Sequence, residues 1–351
     1  MALRTGTGGL MRAARLFGPG DLRIVDLPVP VPGPGQVLVR VITYAPYGTD
    51  VGTYLNRHGR YVSTYPVGIG ADFSGIVESC GPGVDGLAPG DRVAALALDH
   101  CGGCANCTSG RTNLCLDPAF ATLVRQTCCE EYTLVSARKL AVLPDNVEFE
   151  DAAMLAGIVD ALNAYEQMGL DAGDNVAVVG VGAMGLGAIA TAAALGLHVT
   201  ALGGTGERCK LAGELGAAVL PISHHGEDLA PRAMAHRPGG FPAIIETTAS
   251  DWGMAQAFAV AAPGAIVALT GGGQLPLTSW DVVNRELRIV GVRAGHHQAQ
   301  AMDLIANGKL SLQSTVSGRF PLECAAEAFA RLAGEEAKDI GRFLIDIGGA
   351  R

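Results

Sequence analysis

Cys101, Cys104, Cys107 and Cys115 are spaced C-x2-C-x2-C-x7-C. Four thiolates at such spacing close a tetrahedral shell around zinc and leave no open position for a substrate. Gly102, Gly103 and Gly110 let the loop curl. The expected role is structural: one zinc per chain holding a lobe at residues 99–116, with an iron–sulfur cluster as the remaining rival. A second signature is Val176-Ala-Val-Val-Gly180-Val-Gly182-Ala183-Met184-Gly185, a strand followed by G-x-G-x-x-G and a helix. Gly180 permits the turn, Gly182 lets backbone approach a pyrophosphate, and Gly185 lets the helix pack on its sheet. The anion then lies at the helix start, beside Ala183 and Met184.

In a site for NAD the next strand ends in an acid that holds the ribose. Here it ends Ala201-Leu202-Gly203-Gly204-Thr205-Gly206-Glu207-Arg208, with Gly203 at that place. Nothing there repels a 2′-phosphate, Thr205 can donate to it, and Arg208 can pair with it, so NADPH is the expected cofactor. Thr247, Thr248, Thr270 and Gly271 end later strands at the carboxyl edge of the sheet, where nucleotides bind, and join the candidate cofactor residues.

These residues need two scaffolds. From Met11 to Pro144 short apolar runs (Leu22–Val25, Val37–Ile42, Ser74–Ser79, Arg92–Leu98) are broken by Gly and Pro, which predicts a β-rich domain. From Asp151 strands alternate with helices: Asn175–Val179, His198–Leu202, Ala218–Ile222, Ala243–Thr247 and Ala265–Thr270. That order predicts a parallel, doubly wound sheet. Residues 1–10 read as a flexible extension. The first domain is expected at 11–157 and again at 293–351, and the cofactor domain at 158–292.

The chain has 351 residues, enough for two cores, with 49% apolar residues and 49 glycines, the composition of a folded α/β protein. A net charge of −9 with no basic stripe argues against a nucleic-acid partner. No apolar run reaches the roughly 18–20 residues of a membrane span. Residues 1–10 lack the apolar core of a signal peptide, and nine cysteines without an export signal fit a reducing cytoplasm. Cys80, Cys128, Cys129, Cys209 and Cys324 are expected as free thiols.

Taken together the sequence resembles the medium-chain dehydrogenase/reductase superfamily on its zinc alcohol dehydrogenase branch, from Met11 almost to the end. Its marks are Tyr47-Gly48-Thr49-Asp50, Gly70-Ala71-Asp72-Phe73-Ser74-Gly75, the four-cysteine lobe, the glycine turn and Asn284-Arg-Glu-Leu-Arg-Ile-Val-Gly-Val. The resemblance implies a GroES-like β-rich catalytic domain plus a Rossmann domain, with the active site in the cleft between them. It also implies Arg342 on the cofactor pyrophosphate, and a homodimer or homotetramer paired through an edge strand at Val282–Val292. Members carry Cys-Gly-Ser/Thr-Asp at 47–50, Gly-His-Glu at 70–72, a third zinc ligand at Leu155 or Ala156, and a relay His at Gly52. This chain has none of those ligands. The expectation is a structural zinc kept and a catalytic zinc lost. The form of residues 70–75 looks like the zinc-free quinone reductase branch, which lacks the cysteine lobe.

Without a Lewis acid, three acceptors of hydride stay accessible: a conjugated C=C, an iminium, and a carbonyl served by a proton donor. Tyr47 is the first candidate for acid or oxyanion donor, Thr49 for a substrate hydrogen bond or proton relay, and Asp72 for base or orienting group. Tyr44, Tyr54, His58, Asp160 and the pair His296–His297 are further residues with reach. The reading is an NADPH-dependent reductase of an activated C=C or iminium in a small molecule. Metal-free carbonyl reduction or oxidation of a sugar or cyclitol hydroxyl is the alternative. A non-catalytic NADP(H)-binding sensor or scaffold is the rival of another class.

Overall fold

The computed structural model describes residues 5–57, 62–95, 98–117, 127–224 and 226–348. His58 lies outside them. The chain divides into one unit of Met1–Ala156, Val316–Ala337 and Arg342–Arg351, and a second of Gly157–Thr315 and Lys338–Gly341.

The first unit is built on strand Gln36–Tyr44, rich in the β-branched residues that suit a pleated surface. Val37, Val39 and Val41, two apart on one face, are fully buried. This strand pairs antiparallel with Phe73–Cys80, Tyr132–Ser136 and Arg342–Asp346 in a seven-stranded sheet. Tyr44 is registered with Phe73 on one side and Ile345 on the other. The register therefore draws the chain after Tyr44, the chain before Phe73 and the C-terminal strand toward one end of the sheet. Strands Asp21–Pro30, Thr5–Gly18 and Val67–Gly68 form a second sheet. Thr5 pairs with Pro30 and Leu10 with Pro28, so the first strand begins inside the segment expected as a flexible extension.

The second unit is a six-stranded sheet in the order Ala218–Leu220, His198–Leu202, Asn175–Val179, Phe241–Glu246, Ala261–Leu269, Arg288–Gly291, with every pair parallel. In chain order this is 3-2-1-4-5-6, the doubly wound arrangement. Val176 and Val178 enter one apolar cluster and Ala177 and Val179 the other, as a sheet covered on both faces requires.

Two expectations need correction, and one helix was not foreseen. The return to the first unit comes at Val316, not at residue 293. Helix Gln298–Ala306 buries Ala301, Met302 and Ile305 and stays with the second unit. Helix Ala230–His236, begun by a proline, gave no periodic signal. The edge strand expected at Val282–Val292 is strand only at Arg288–Gly291, because Ser279–Arg285 is helical. There the Thr278 amide donates to Asp281 at 2.7 Å, the Asp281 amide donates back to the Thr278 hydroxyl at 3.3 Å, and Glu286 at φ +48° ends the helix.

A Cβ on Gly185 would lie 2.0 Å from the Gly180 carbonyl oxygen, so the cofactor-domain helix Ala183–Ala194 sits at its closest approach to the turn. Gly185→Ala should cost about 2 kcal/mol or more. Calorimetry should show the transition of the second unit falling by about 4–8 °C, and an unchanged transition would mean the turn is slacker than drawn.

Candidate active site

The glycine turn is made by what its residues lack. Gly180 has φ +96°, and a Cβ there would lie 2.5 Å from the Thr248 methyl. Around Gly182 the space is open: a Cβ would meet only an Arg208 nitrogen at 3.8 Å. That open cradle at the start of Ala183–Ala194 is the room a pyrophosphate needs, so the turn fits a dinucleotide. The strand-end threonines point back to the chain. The Thr247 hydroxyl donates to Val179 O at 2.9 Å and the Thr270 hydroxyl to Glu246 O at 2.8 Å. Glu246 is fully buried, and burial raises its carboxyl pKa. It accepts from the Thr248 amide, the Thr248 hydroxyl and the Ala249 amide. Gly271 packs so close that a Cβ would meet the Ala249 methyl at 2.4 Å.

Beyond the second strand, Gly203 at φ +109° and Gly204 at φ +79° hold a left-handed path that disfavours any side chain. Asp339, from the short C-terminal visit to this unit, accepts the Thr205 hydroxyl. The Arg208 Nε donates to Ile340 O at 2.8 Å; burial lowers its pKa and Asp339 opposes that shift. A carboxylate thus stands beside both residues expected to meet a 2′-phosphate. No local pattern announced it, because the contact spans 134 residues of sequence.

The four cysteines meet in space, with one donor sulfur from each lying within 4.8 Å of the others. Cys104 Sγ is 3.4 Å and Cys101 Sγ 3.9 Å from Cys107 Sγ, against about 3.8 Å for sulfurs sharing a tetrahedral zinc. Backbone amides favour the thiolates: Cys101 donates to Cys115 Sγ and Cys104 to Cys101 Sγ, both at 3.3 Å. The amides of Leu116 and Cys107 lower the Cys104 thiol to about 6. This set fits zinc.

In the first unit the sheet end gathers Tyr44, Tyr47, Asp50, Asp72 and Arg342. Tyr47 precedes helix Gly48–Tyr54, and its amide donates to the Asp50 carboxylate at 2.8 Å. Its hydroxyl donates to Met154 O at 2.9 Å, immediately before Leu155. The Arg342 guanidinium lies 4.0 Å over the Tyr47 ring. Arg342 is 2% exposed, and its Nε and both Nη atoms lack a hydrogen-bond acceptor. Asp50 is buried and raised to about 6 by desolvation, opposed by the Tyr47 amide, Tyr44 and Arg342. The Tyr44 hydroxyl makes no aligned hydrogen bond, yet lies close enough to favour the ionised carboxyl. Thr49 is exposed on the same helix. Gly52 is buried there and Tyr54 hydrogen-bonds Gly20 O.

Behind this group the buried Asp72 raises the pKa of Lys139, which burial lowers to about 8. Asp99 raises it too, ahead of Asp72. Cys128 packs against Gly70, where a Cβ would lie 2.6 Å from its sulfur, and burial raises its thiol well above the usual range. Glu130, also buried, pairs with Arg15 at 2.6 Å. Lys139 and the Glu130–Arg15 pair were not foreseen: one lies in a short turn, and the other joins residues 115 apart. Asp160 sits in the second unit, where it accepts the Gly295 amide at 3.1 Å and burial raises it to about 7.

The parallel sheet, the glycine turn and the cysteine shell define a zinc-binding, dinucleotide-dependent oxidoreductase. Residues 33–145 match the family model of the alcohol dehydrogenase GroES-like domain, and residues 183–307 that of zinc-binding dehydrogenases. Human sorbitol dehydrogenase is 31% identical over 326 residues, covering 90% of each chain. Escherichia coli galactitol 1-phosphate 5-dehydrogenase is 29% identical over 330 residues, covering 90% of this chain and 94% of its own. The structure of a zinc-binding dehydrogenase from Sinorhizobium meliloti bound to NADP superposes with a TM-score of 0.84 at 28% identity, covering 96% and 99%. The chain belongs to the zinc alcohol dehydrogenase-like group of the medium-chain dehydrogenase/reductase superfamily.

Because Asp50 is raised in the folded state from 3.8 to about 6, it adds stability below pH 4 that is lost as pH rises through 6. Asp50→Asn removes that loss. Across pH 4 to 7, wild type should fall relative to the variant by up to about 3 kcal/mol in urea unfolding. A difference that stays flat with pH would show an ordinary acid.

Proposed function

We propose that the chain is an NADP(H)-dependent oxidoreductase that transfers hydride to a small organic acceptor without a catalytic metal, and that the acceptor is a conjugated C=C or an iminium. The observation that carries this is Tyr47. Where the family resemblance puts a zinc ligand, this chain has an aromatic ring under Arg342 whose hydroxyl is committed to Met154 O. With Ala71 and Leu155 or Ala156 at the neighbouring positions, Asp72 is left as the one carboxylate of that set.

When bound, the nicotinamide supplies the hydride. Addition to the β-carbon of a conjugated acceptor leaves an enolate, whose oxygen needs a hydrogen bond and whose α-carbon takes one proton. The exposed Thr49 hydroxyl suits the first task, and Lys139, at about 8 and ammonium at neutral pH, the second. An iminium needs neither. Arg208 with Thr205 would receive the 2′-phosphate.

A second reading, oxidation of a sugar or cyclitol hydroxyl, is favoured by the sorbitol and galactitol 1-phosphate dehydrogenases among the relatives. It asks for a base, and Asp50 at about 6 is ionised at neutral pH. Assays of NADPH consumption with enones, iminiums and ketones, and of NADP reduction with polyols, separate the readings. Turnover of enones or iminiums that survives chelators supports the first. Turnover of polyols alone supports the second, and tight NADPH binding with no turnover indicates a sensor. A homodimer through the edge strand Arg288–Gly291 is also proposed; light scattering showing a monomer alone would sink it.

Asp339 weakens the 2′-phosphate site by its charge. Asp339→Asn should raise the preference for NADPH over NADH about tenfold, or about 1.4 kcal/mol, and Arg208→Ala should lower it. Dissociation constants from fluorescence titration decide this, and equal ratios in all three proteins would reject the NADP(H) assignment.

A further inference from the structure

Helix Leu155–Met168 carries Asp160, Asn163 and Glu166 at three-residue steps. The loop from Arg293 to His297 is clamped along it. Gly295 N donates to Asp160 at 3.1 Å, and the Asn163 side chain donates to Arg293 O at 3.1 Å. A Cβ on Gly295 would lie 2.5 Å from Val159 O, so the loop backbone rests directly on the helix. The clamp brings two imidazoles to the Glu166 carboxylate. His297 Nε2 is 2.9 Å from Glu166 Oε2, and the His296 and His297 ring centroids are 4.4 Å apart. One donor atom from each of the three residues lies within 4.8 Å of the others.

We propose that Glu166, His296 and His297 form a second metal site, for a borderline divalent ion such as zinc, nickel or copper(II), separate from the cysteine centre. Two imidazoles and one carboxylate are the donors such ions prefer, and this set excludes the all-oxygen shells of magnesium and calcium. Bonds of about 2.0–2.1 Å place neighbouring donors of a tetrahedral ion about 3.3 Å apart. The Glu166–His297 pair is already near that spacing, and a span of 4.8 Å closes by about 1.5 Å of ring movement. A simple Glu–His pair needs one ring; the second supplies the third donor. Glu166 is exposed, which leaves the ion a way in and a fourth position for water. The buried Nδ1 of His297 has no acceptor. Metal-bound histidines usually donate that proton, and lacking the partner costs about 10–100-fold in affinity, so this site is the weaker of the two.

The full chain, with zinc kept on its cysteines, is titrated with zinc by calorimetry and with copper(II) by electron paramagnetic resonance. Wild type should take up one further equivalent, more weakly than the cysteine-bound ion, with nitrogen coordination. His296→Ala and Glu166→Gln should each weaken it at least tenfold and leave the cysteine-bound zinc unchanged by metal analysis. His297 is half-buried at the N-cap position of the next helix, where its side chain makes no cap, so His296→Ala, which leaves the clamp intact, carries the test if His297→Ala misfolds. No further equivalent at hundred-micromolar ion, or uptake by His296→Ala as tight as by wild type, overturns the proposal. The readout is stoichiometry and spectrum, so it stands or falls independently of catalytic zinc and of turnover.

Discussion

A buried guanidinium without a hydrogen-bond acceptor governs the first unit. Removing a charge from water costs several kcal/mol, and Arg342 has no carbonyl or carboxylate bonded to any of its three nitrogens. Two groups offset the cost. The Tyr47 ring face at 4.0 Å contributes about 2 kcal/mol for a desolvated pair. Asp50 supplies the opposing charge, and Arg342 in turn lowers the pKa that burial raises. Asp50 also takes the Tyr47 amide, which fixes the start of the helix and the angle of the ring. The three residues are therefore one unit. A smaller side chain at Tyr47 would expose the cation's face, and a neutral residue at Asp50 would leave it uncompensated. Their meeting depends on the strand register, with Ile345 opposite Tyr44.

The second unit solves its problem in the opposite way. Its turn holds no unpaired charge; its precision comes from missing side chains and from hydroxyls tied to backbone. Gly180 and Gly185 approach so closely that neither tolerates a Cβ, while Gly182 is left open. The cysteine lobe is a third solution. Within it Cys107 and Cys115 are the buried apolar residues, alongside Asn113. So small an apolar interior cannot hold a loop, and a metal bound by the four thiolates would take the place of a core.

What the sequence displays and what it hides divides along contact range. The glycine turn, the cysteine shell and the strands at Gln36–Tyr44 and Asn175–Val179 are local patterns, and each was legible. The side chains that set the site's electrostatics come from far apart: Asp339 beside Thr205, Glu130 with Arg15, Arg342 over Tyr47. Composition and periodicity carry no trace of such pairs. Arg342 was visible through resemblance, as a phosphate contact, but its burial and its hold on Tyr47 were not. The placement of residues 293–315 was missed because helix Gln298–Ala306 could have covered either unit; its burial of Met302 and Ile305 decides the matter.

The protonation states in the first unit bear on the direction of chemistry. Burial moves Asp50 up to about 6 and Lys139 down to about 8, so their ordinary gap of more than six units narrows to about two. At neutral pH the carboxyl is charged and can accept a proton, while the amine is charged and can give one. In the two readings proposed above, reduction of a C=C would consume a proton and draw on the lysine, and oxidation of an alcohol would release one to the aspartate. A metal would serve both directions by stabilising charge on oxygen. Two acid–base groups without a metal, as proposed above, would serve one direction each, with a weight that depends on pH. Asp99 and Asp72 raise the pKa of Lys139 against desolvation, which keeps the proton on its nitrogen at neutral pH, as the reductive reading proposed above requires.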